Sequence, residues 1–178
     1  AIADAPALCL DGDVWFDGEW QKLAEAHERS GDLAAALADL GRAAATESQR
    51  SPGQTQLWIG RLEVALAEGA SGAAQQSHLA AALPALERAI GHGFHVWEAA
   101  AYLATAQRLS GRPEEALAAS RRAVQARPHD PHVLMQALRL RAALGRCDSA
   151  AEIREELRRL QPRNIQADAV LASCRSGD

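Results

Sequence analysis

Residues 97–130 read WEAAAYLATAQRLSGRPEEALAASRRAVQARPHD, and residues 131–164 read PHVLMQALRLRAALGRCDSAAEIREELRRLQPRN. Aligned position by position, the two stretches of 34 residues are identical at four positions: Gly111 with Gly145, Arg112 with Arg146, Ala116 with Ala150, and Pro128 with Pro162. A glycine supplies a left-handed turn and a proline ends a helix, so each stretch predicts two helices joined by a turn. A fixed period of this length indicates a helical repeat array.

This pattern resembles the tetratricopeptide repeat (TPR) family, whose unit is a helix-turn-helix. The family places a small residue in the first helix, a glycine in the turn, two alanines in the second helix and a proline at its end. Residues 97–130 supply Ala104, Gly111, Ala116, Ala123 and Pro128. Residues 131–164 supply Leu138, Gly145, Ala150, Leu157 and Pro162, with two leucines in place of small residues. The resemblance implies an all-α, right-handed superhelical solenoid of about four repeats with a C-terminal capping helix.

The same template extends toward the N-terminus with less regularity. Residues 17–50 fit it through Trp20, Gly31 and Ala36, but Ser48 replaces the closing proline. Residues 55–96 fit it through Trp58 and Gly69, with an inserted segment at residues 69–77 that we expect to be a flexible loop.

Residues 17–178 predict a single TPR domain, which includes a capping helix and is preceded by a short lead-in. Residues 1–16 form an acidic and aromatic lead-in, whose Trp15 and Phe16 we expect to pack onto the first helical pair. Residues 165–175 predict the capping helix, with Ile165, Ala169, Val170 and Ala172 on its apolar side.

Composition and charge agree with a helical protein and narrow the classes of partner. Of the 178 residues, 48% are hydrophobic and only 4% aromatic, which favours helix over sheet. No apolar run reaches the roughly 18–20 residues of a membrane-spanning helix. The net charge is −4, and the arginines of residues 154–159 alternate with glutamates. That alternation predicts a solvated helix face and argues against a nucleic-acid site.

The sequence contains no enzyme signature, metal site or cofactor site that we can defend. His95 and His129 occupy equivalent positions of adjacent repeats, which lie about 10 Å apart when helices pack normally, so they do not share a metal ion. We expect them to be exposed turn residues. The acidic residues near the start lack the ligand spacing of a calcium loop. No nucleophile elbow, phosphate loop or HExxH motif is present.

Cys147 and Cys174 are candidates for a disulfide, since the second helix of repeat four and the capping helix should run antiparallel. Reflection about the turn between them leaves an offset of about 6 Å along a helix axis. A bridge and two free thiols both remain open at this point. A bridge would indicate an oxidising compartment such as a bacterial periplasm, and free thiols a cytoplasmic protein. Cys9 is left over in either case.

The resemblance also implies where a partner binds, because the first helix of each TPR repeat lines the concave face. The candidate partner-binding residues on these helices are Glu25, Glu28, Tyr102, Arg108, His132, Met135 and Arg139. They make the face acidic at one end and basic at the other, which favours a peptide of opposite polarity. We therefore predict a noncatalytic protein-binding scaffold, free or part of a larger complex, in the bacterial cell envelope. The alternatives are an accessory subunit of an enzyme or cofactor-maturation complex, and a cytoplasmic adaptor.

Overall fold

The structure, a computed structural model, describes residues 17–46 and 52–176. These residues form nine α-helices and no strand. In chain order the helices are α1 (Asp17–Ser30), α2 (Leu33–Ala45), α3 (Pro52–Gly69), α4 (Gly72–Gly91), α5 (Val96–Leu109), α6 (Pro113–Ala126), α7 (Pro131–Ala143), α8 (Cys147–Leu160) and α9 (Ile165–Ser176). The predicted lead-in at residues 1–16, with Cys9, Trp15 and Phe16, lies outside the described residues, as does Ser48.

The helices pack as four hairpins that stack on one another. Each odd-numbered helix from α1 to α7 contacts the even-numbered helix that follows it. The first helices also contact each other, with α5 between α3 and α7, and α9 packs against both α7 and α8. The arrangement is a helical solenoid closed by one capping helix, and it confirms the predicted fold class.

A glycine in the left-handed region lies at the turn of each of the four hairpins. The φ angles are 84° at Gly31, 59° at Gly72, 70° at Gly111 and 66° at Gly145. In the third hairpin Gly111 N–H donates to Arg108 C=O at 3.0 Å, and Arg112 N–H donates to Gln107 C=O at 2.9 Å. These two bonds satisfy the last carbonyls of the helix and form a Schellman motif. The repeated glycine is therefore a backbone requirement of the turn.

The repeat positions that carry small residues lie in the core. Ala104, Ala116 and Ala123 are buried between the helices of the third hairpin, where their size permits close helix packing. In the fourth hairpin Leu138 and Leu157 take two of these positions and are completely buried. They belong to a core cluster shared by α7, α8 and α9, so the larger side chains are used to pack the capping helix.

The predicted flexible loop at residues 69–77 is wrong. Helix α3 ends at Gly69 and α4 begins at Gly72, so only two residues separate them. The additional residues lengthen both helices, to 18 residues in α3 and 20 in α4. Alanine and glutamine at residues 73–76 are good helix formers. Gln75 Nε2 also donates to the carbonyl of Ala67 at 3.0 Å, which satisfies a backbone acceptor near the end of α3.

The capping helix buries a different face from the predicted one, and of the predicted apolar side only Val170 packs against the core cluster. Ala167 and Leu171 are buried, Cys174 is half-buried, and Ile165 is 80% exposed. Positions 167, 171 and 174 follow the i, i+4, i+7 spacing of one helical stripe, and this stripe faces the cluster on α7 and α8.

Candidate binding groove

The first helices of the hairpins present one continuous surface, formed by α1, α3, α5 and α7, which we call the groove face. Two open cavities lie on it. The first cavity, between α1, α3 and the start of α5, has a volume of about 520 Å³. The second cavity, between α3, α5 and α7, has a volume of about 420 Å³. The sequence-predicted site residues on α1, α5 and α7 fall mainly into these two cavities.

The second cavity brings together Tyr102, Arg108 and Arg139. Tyr102, Thr105 and Arg108 are three residues apart on α5, so their side chains project from one side of the helix. Arg139 reaches the same space from α7, and its guanidinium contacts the neutral side chain of Gln166, at 3.5 Å. Within residues 17–46 and 52–176, neither arginine forms an ion pair. Two guanidinium groups with unused donors therefore line one cavity beside a phenol.

Burial shapes the chemistry of Tyr102. Removal of the phenol from water raises its pKa above 10.0, and the nearby carboxylates of Glu98, Glu28 and Glu68 act in the same direction. The cation of Arg61 opposes them by favouring the phenolate. At neutral pH the hydroxyl is therefore protonated and available as a hydrogen-bond donor.

Glu28 organises the first cavity. One of its carboxylate oxygens accepts a hydrogen bond from Trp58 Nε1 at 2.6 Å, and both oxygens lie 2.7 Å from Arg61 Nη2. These bonds tie α1 to α3 and fix the indole ring at the wall of the cavity. Glu25, 60% exposed, lies at the rim and is 4.0 Å from Arg29.

Solved structures with the same architecture identify the fold. A tetratricopeptide repeat protein from Parabacteroides merdae ATCC 43184 superimposes with a TM-score of 0.70 at 18% identity, over 90% of this chain and 60% of that one. YrrB, a TPR protein with an unusual peptide-binding site, superimposes with a TM-score of 0.65 at 19% identity, over 88% of this chain and 75% of that one. The fold is that of the tetratricopeptide repeats.

A thermophilic TPR protein of Thermus thermophilus gives a TM-score of 0.60 at 16% identity, over 90% of this chain and 99% of that one. No protein-family model and no curated protein sequence matches the chain. The relation to TPR proteins is therefore carried by the three-dimensional structure. None of the described helices combines the length and the apolar character that crossing a bilayer requires.

Two sequence-predicted site residues of this TPR fold lie elsewhere. Met135 is buried, and it belongs to the core cluster that includes Ala167 and Leu171 of α9. Its assignment to the binding face is wrong because α9 stacks on α7 as a further first helix would. His132 is exposed at the start of α7 and lines neither cavity of the groove face.

Several cavity residues escape the repeat template. Trp58 served only to align residues 55–96 with the template, and its side chain lines the first cavity. Phe94 and His95 also line this cavity, although they belong to the turn between α4 and α5. The unusual run of residues 91–95, GHGFH, was the available signal for a specialised turn.

A disulfide joins Cys147, the first residue of α8, to Cys174 in the last turns of α9. The Cα atoms are 5.8 Å apart, which is within the normal range for a bridge. Counting residues about the turn suggested a larger offset because it assumes that α8 and α9 lie directly side by side, with their axes antiparallel. The helix α9 instead packs against α7 as well as α8. Arg154 of α8 and Asp168 of α9 add an ion pair between the same two helices.

A further cavity of about 660 Å³ opens on the other side of the solenoid, between α6, the end of α7 and the start of α8. Buried Arg141 lines it, and desolvation lowers the pKa of this guanidinium. Its Nη1 donates to the carbonyl of Ala137 at 3.1 Å. Three cationic and three carboxylate side chains line the cavity, so it has no charge preference comparable with that of the groove face.

Proposed function

We propose that this chain is a noncatalytic scaffold that binds a protein or peptide segment along the groove face. The observation that carries the proposal is the second cavity, in which Arg108 and Arg139 lie beside Tyr102. Glu68 is the one carboxylate that lines this cavity, and among the described residues neither arginine forms an ion pair with it or with any other carboxylate. Arg108 is half-buried and Arg139 is exposed. A guanidinium with unused donors forms its strongest hydrogen bonds, charge-assisted and bidentate, to a carboxylate. An acidic side chain of a partner supplies that group, and Tyr102 and Thr105 add hydrogen bonds beside it.

The apolar and aromatic parts of the groove face supply the remaining contact. Trp58 and Tyr102 are amphipathic aromatic residues, a type enriched at protein interfaces together with arginine. YrrB, which shares the fold, is described as having a peptide-binding site. These features support a peptide or an extended loop as the partner, held as one part of a larger complex.

We further propose that the protein works outside the cytoplasm, in the cell envelope. The bridge between Cys147 and Cys174 supports this location, because structural disulfides persist in oxidising compartments and are rare in the cytosol. Alkylation of thiols in intact host cells, followed by mass spectrometry of the protein, tests it. We expect Cys147 and Cys174 to escape alkylation, whereas alkylation of both would contradict the location.

The binding proposal is tested by selection from a random peptide library against the immobilised protein. The selected peptides are then measured on the double variant Arg108→Gln, Arg139→Gln and on the control Arg121→Gln, Arg122→Gln, which removes the same charge from exposed positions of α6. We expect the selected peptides to be acidic. They should bind the Arg108→Gln, Arg139→Gln variant at least about tenfold more weakly than the original chain, and they should bind the control variant as tightly as the original chain. Failure to select any peptide, or equal losses in the two variants, would overturn the proposal.

A further inference from the structure

The first cavity has an aromatic wall with acidic side chains at its edge. Its aromatic side chains are Trp58, Phe94 and His95, and Glu98 and Glu25 lie beside them. We call these five residues the aromatic pocket. It lies at the opposite end of α5 from Arg108, because Glu98 is in the first turn of that helix and Arg108 in the last.

The turn before α5 is built to hold two of these rings. A Cβ on Gly53 of α3 would lie 2.5 Å from Phe94 Cβ, so only glycine lets the Phe94 side chain approach α3 this closely. His95 follows with φ 39° and ψ 51°, and it is the only non-glycine residue with positive φ in the described part of the chain. Its ring stacks on that of Phe94, with 4.4 Å between centroids and 8° between planes.

A left-handed backbone at a non-glycine residue costs free energy, and such residues concentrate at functional sites. Glycine at position 95 would remove this cost, as it does two residues earlier at Gly93, whose φ is 71°. The fold therefore holds His95 in a backbone conformation that is unfavourable for a histidine. Within the fold its visible result is the stacked ring pair at the pocket wall.

The charges of the pocket are not all neutralised. Glu28 is fully engaged by Trp58 and Arg61, so this pair contributes little net charge. The Glu98 side chain is 27% exposed and lies 3.3 Å from His95, while the Glu25 carboxylate is at the limit of ion-pair distance from Arg29. Arg29 and Arg61 also line the cavity, so its three carboxylates and two guanidinium groups leave one net negative charge beside the three ring systems. A net negative charge and the ring quadrupoles together attract a further cation.

We propose that the aromatic pocket binds an arginine or lysine side chain of the partner segment. This inference rests on the proposed binding of a partner along the groove face, and it specifies which type of partner side chain binds at one end of that face. A guanidinium stacks on a ring face and donates to carboxylates in its plane, so the stacked pair and Glu98 suit arginine in particular. With Arg108 and Arg139 at the other end of α5, the groove then selects a segment with a basic residue and an acidic residue in a fixed order.

The probe for this site is the peptide acetyl-Gly-Arg-Gly-amide, compared with the same peptide carrying citrulline, a neutral analogue of arginine. The indole N–H resonance of Trp58, assigned by its loss in Trp58→Phe, reports binding on the full chain. We expect the arginine peptide to shift this resonance in a saturable way and the citrulline peptide to bind at least about fivefold more weakly. Equal shifts by the two peptides, or no shift by either, would overturn the inference.

Two variants separate the contribution of the His95 ring from that of the Glu98 charge, and we expect both variants to fold. His95→Gly removes the stacked ring and suits the left-handed backbone, so it should fold at least as stably as the original chain. Glu98→Gln removes one charge, and Glu87→Gln on the exposed side of α4 is its matched control. We expect His95→Gly and Glu98→Gln each to weaken binding of the arginine peptide by about threefold to tenfold and the control to have no effect.

These experiments can refute the aromatic pocket and the proposed binding along the groove face separately. If library-selected acidic peptides still require Arg108 and Arg139 while His95→Gly leaves arginine binding unchanged, the aromatic pocket is refuted and the groove stands. If the arginine peptide behaves as expected and no selected peptide depends on Arg108 and Arg139, the proposed binding of an acidic side chain in the second cavity is refuted. The aromatic pocket then stands.

Discussion

Gly60→Ala is a direct test of how closely α3 and α4 pack. Gly60 is buried in the middle of α3, and a Cβ placed there would lie 2.4 Å from Leu86 Cγ and 2.6 Å from Leu86 Cδ2. Leu86 is completely buried and part of the main core cluster, so its side chain has little room to move. Gly41→Ala is the matched control, because Gly41 lies in α2, is exposed, and has no atom within 4 Å of an added Cβ.

The expected magnitudes separate helix propensity from packing. Alanine is favoured over glycine by about 1 kcal/mol in a helix interior, and this gain applies to both variants. Extra volume in a well-packed core costs about 1–3 kcal/mol, and this cost applies only at Gly60. We therefore expect Gly41→Ala to be stabilised by up to about 1 kcal/mol and Gly60→Ala to be less stable than that control by about 1–3 kcal/mol.

Urea unfolding followed by far-ultraviolet circular dichroism measures both free energies. The dependence of unfolding free energy on urea should be the same in the two variants, so that the midpoints are directly comparable. A midpoint for Gly60→Ala equal to or above that of Gly41→Ala would mean that α3 and α4 are further apart than described. It would also remove the reason for a glycine at this position.

Two further predictions concern the disulfide and the single tyrosine. Reduction of the Cys147–Cys174 bridge, which spans 27 residues, should lower the unfolding free energy by about 3.5 kcal/mol in urea, and Cys174→Ser should lose a similar amount and no longer respond to reductant. An unchanged midpoint on reduction would contradict this expectation. In an ultraviolet titration, Tyr102 should ionise above pH 10.0, and Arg61→Gln should raise its pKa further because a phenolate-stabilising cation is lost. Because burial favours the neutral phenol, the contribution of Tyr102 to stability should be fully present below pH 10.0 and should be lost as the pH rises through the raised pKa. A measured pKa at or below 10.0 would refute the burial of the ring.

The 34-residue period is sufficient to predict the fold because the residues that define it have strict backbone roles. Gly111 and Gly145 adopt the left-handed conformation that their turns require, and α6 and α8 end two residues before Pro128 and Pro162. The period fails at residues 69–77, where helix propensity extends both helices past the lengths that the template expects. Helix propensity determines the structure of this segment, and the repeat template does not include helix propensity.

The binding face is only partly predictable for a related reason. The resemblance to the TPR family places Tyr102, Arg108 and Arg139 on one face, and in the structure these residues meet in one cavity. It misplaces Met135 because the capping helix continues the stack of first helices, which a repeat-by-repeat assignment does not consider. The ring pair of Phe94 and His95 depends on a left-handed backbone at a non-glycine residue, and sequence preference predicts the opposite conformation at such a position.

The bridge between α8 and α9 also makes the two ends of the molecule unequal. A solenoid is held by contacts between neighbouring repeats, so it can come apart from either end, one hairpin at a time. The Cys147–Cys174 bond prevents the last two helices from separating along the chain. The N-terminal hairpin has no covalent link of this kind among the described residues, and a small core cluster with Leu62 and side-chain bonds from Gln21 and Glu28 hold it to α3. Under a pulling force, or during local opening, we expect the array to unravel from its N-terminal hairpin toward a C-terminal part that stays folded longest.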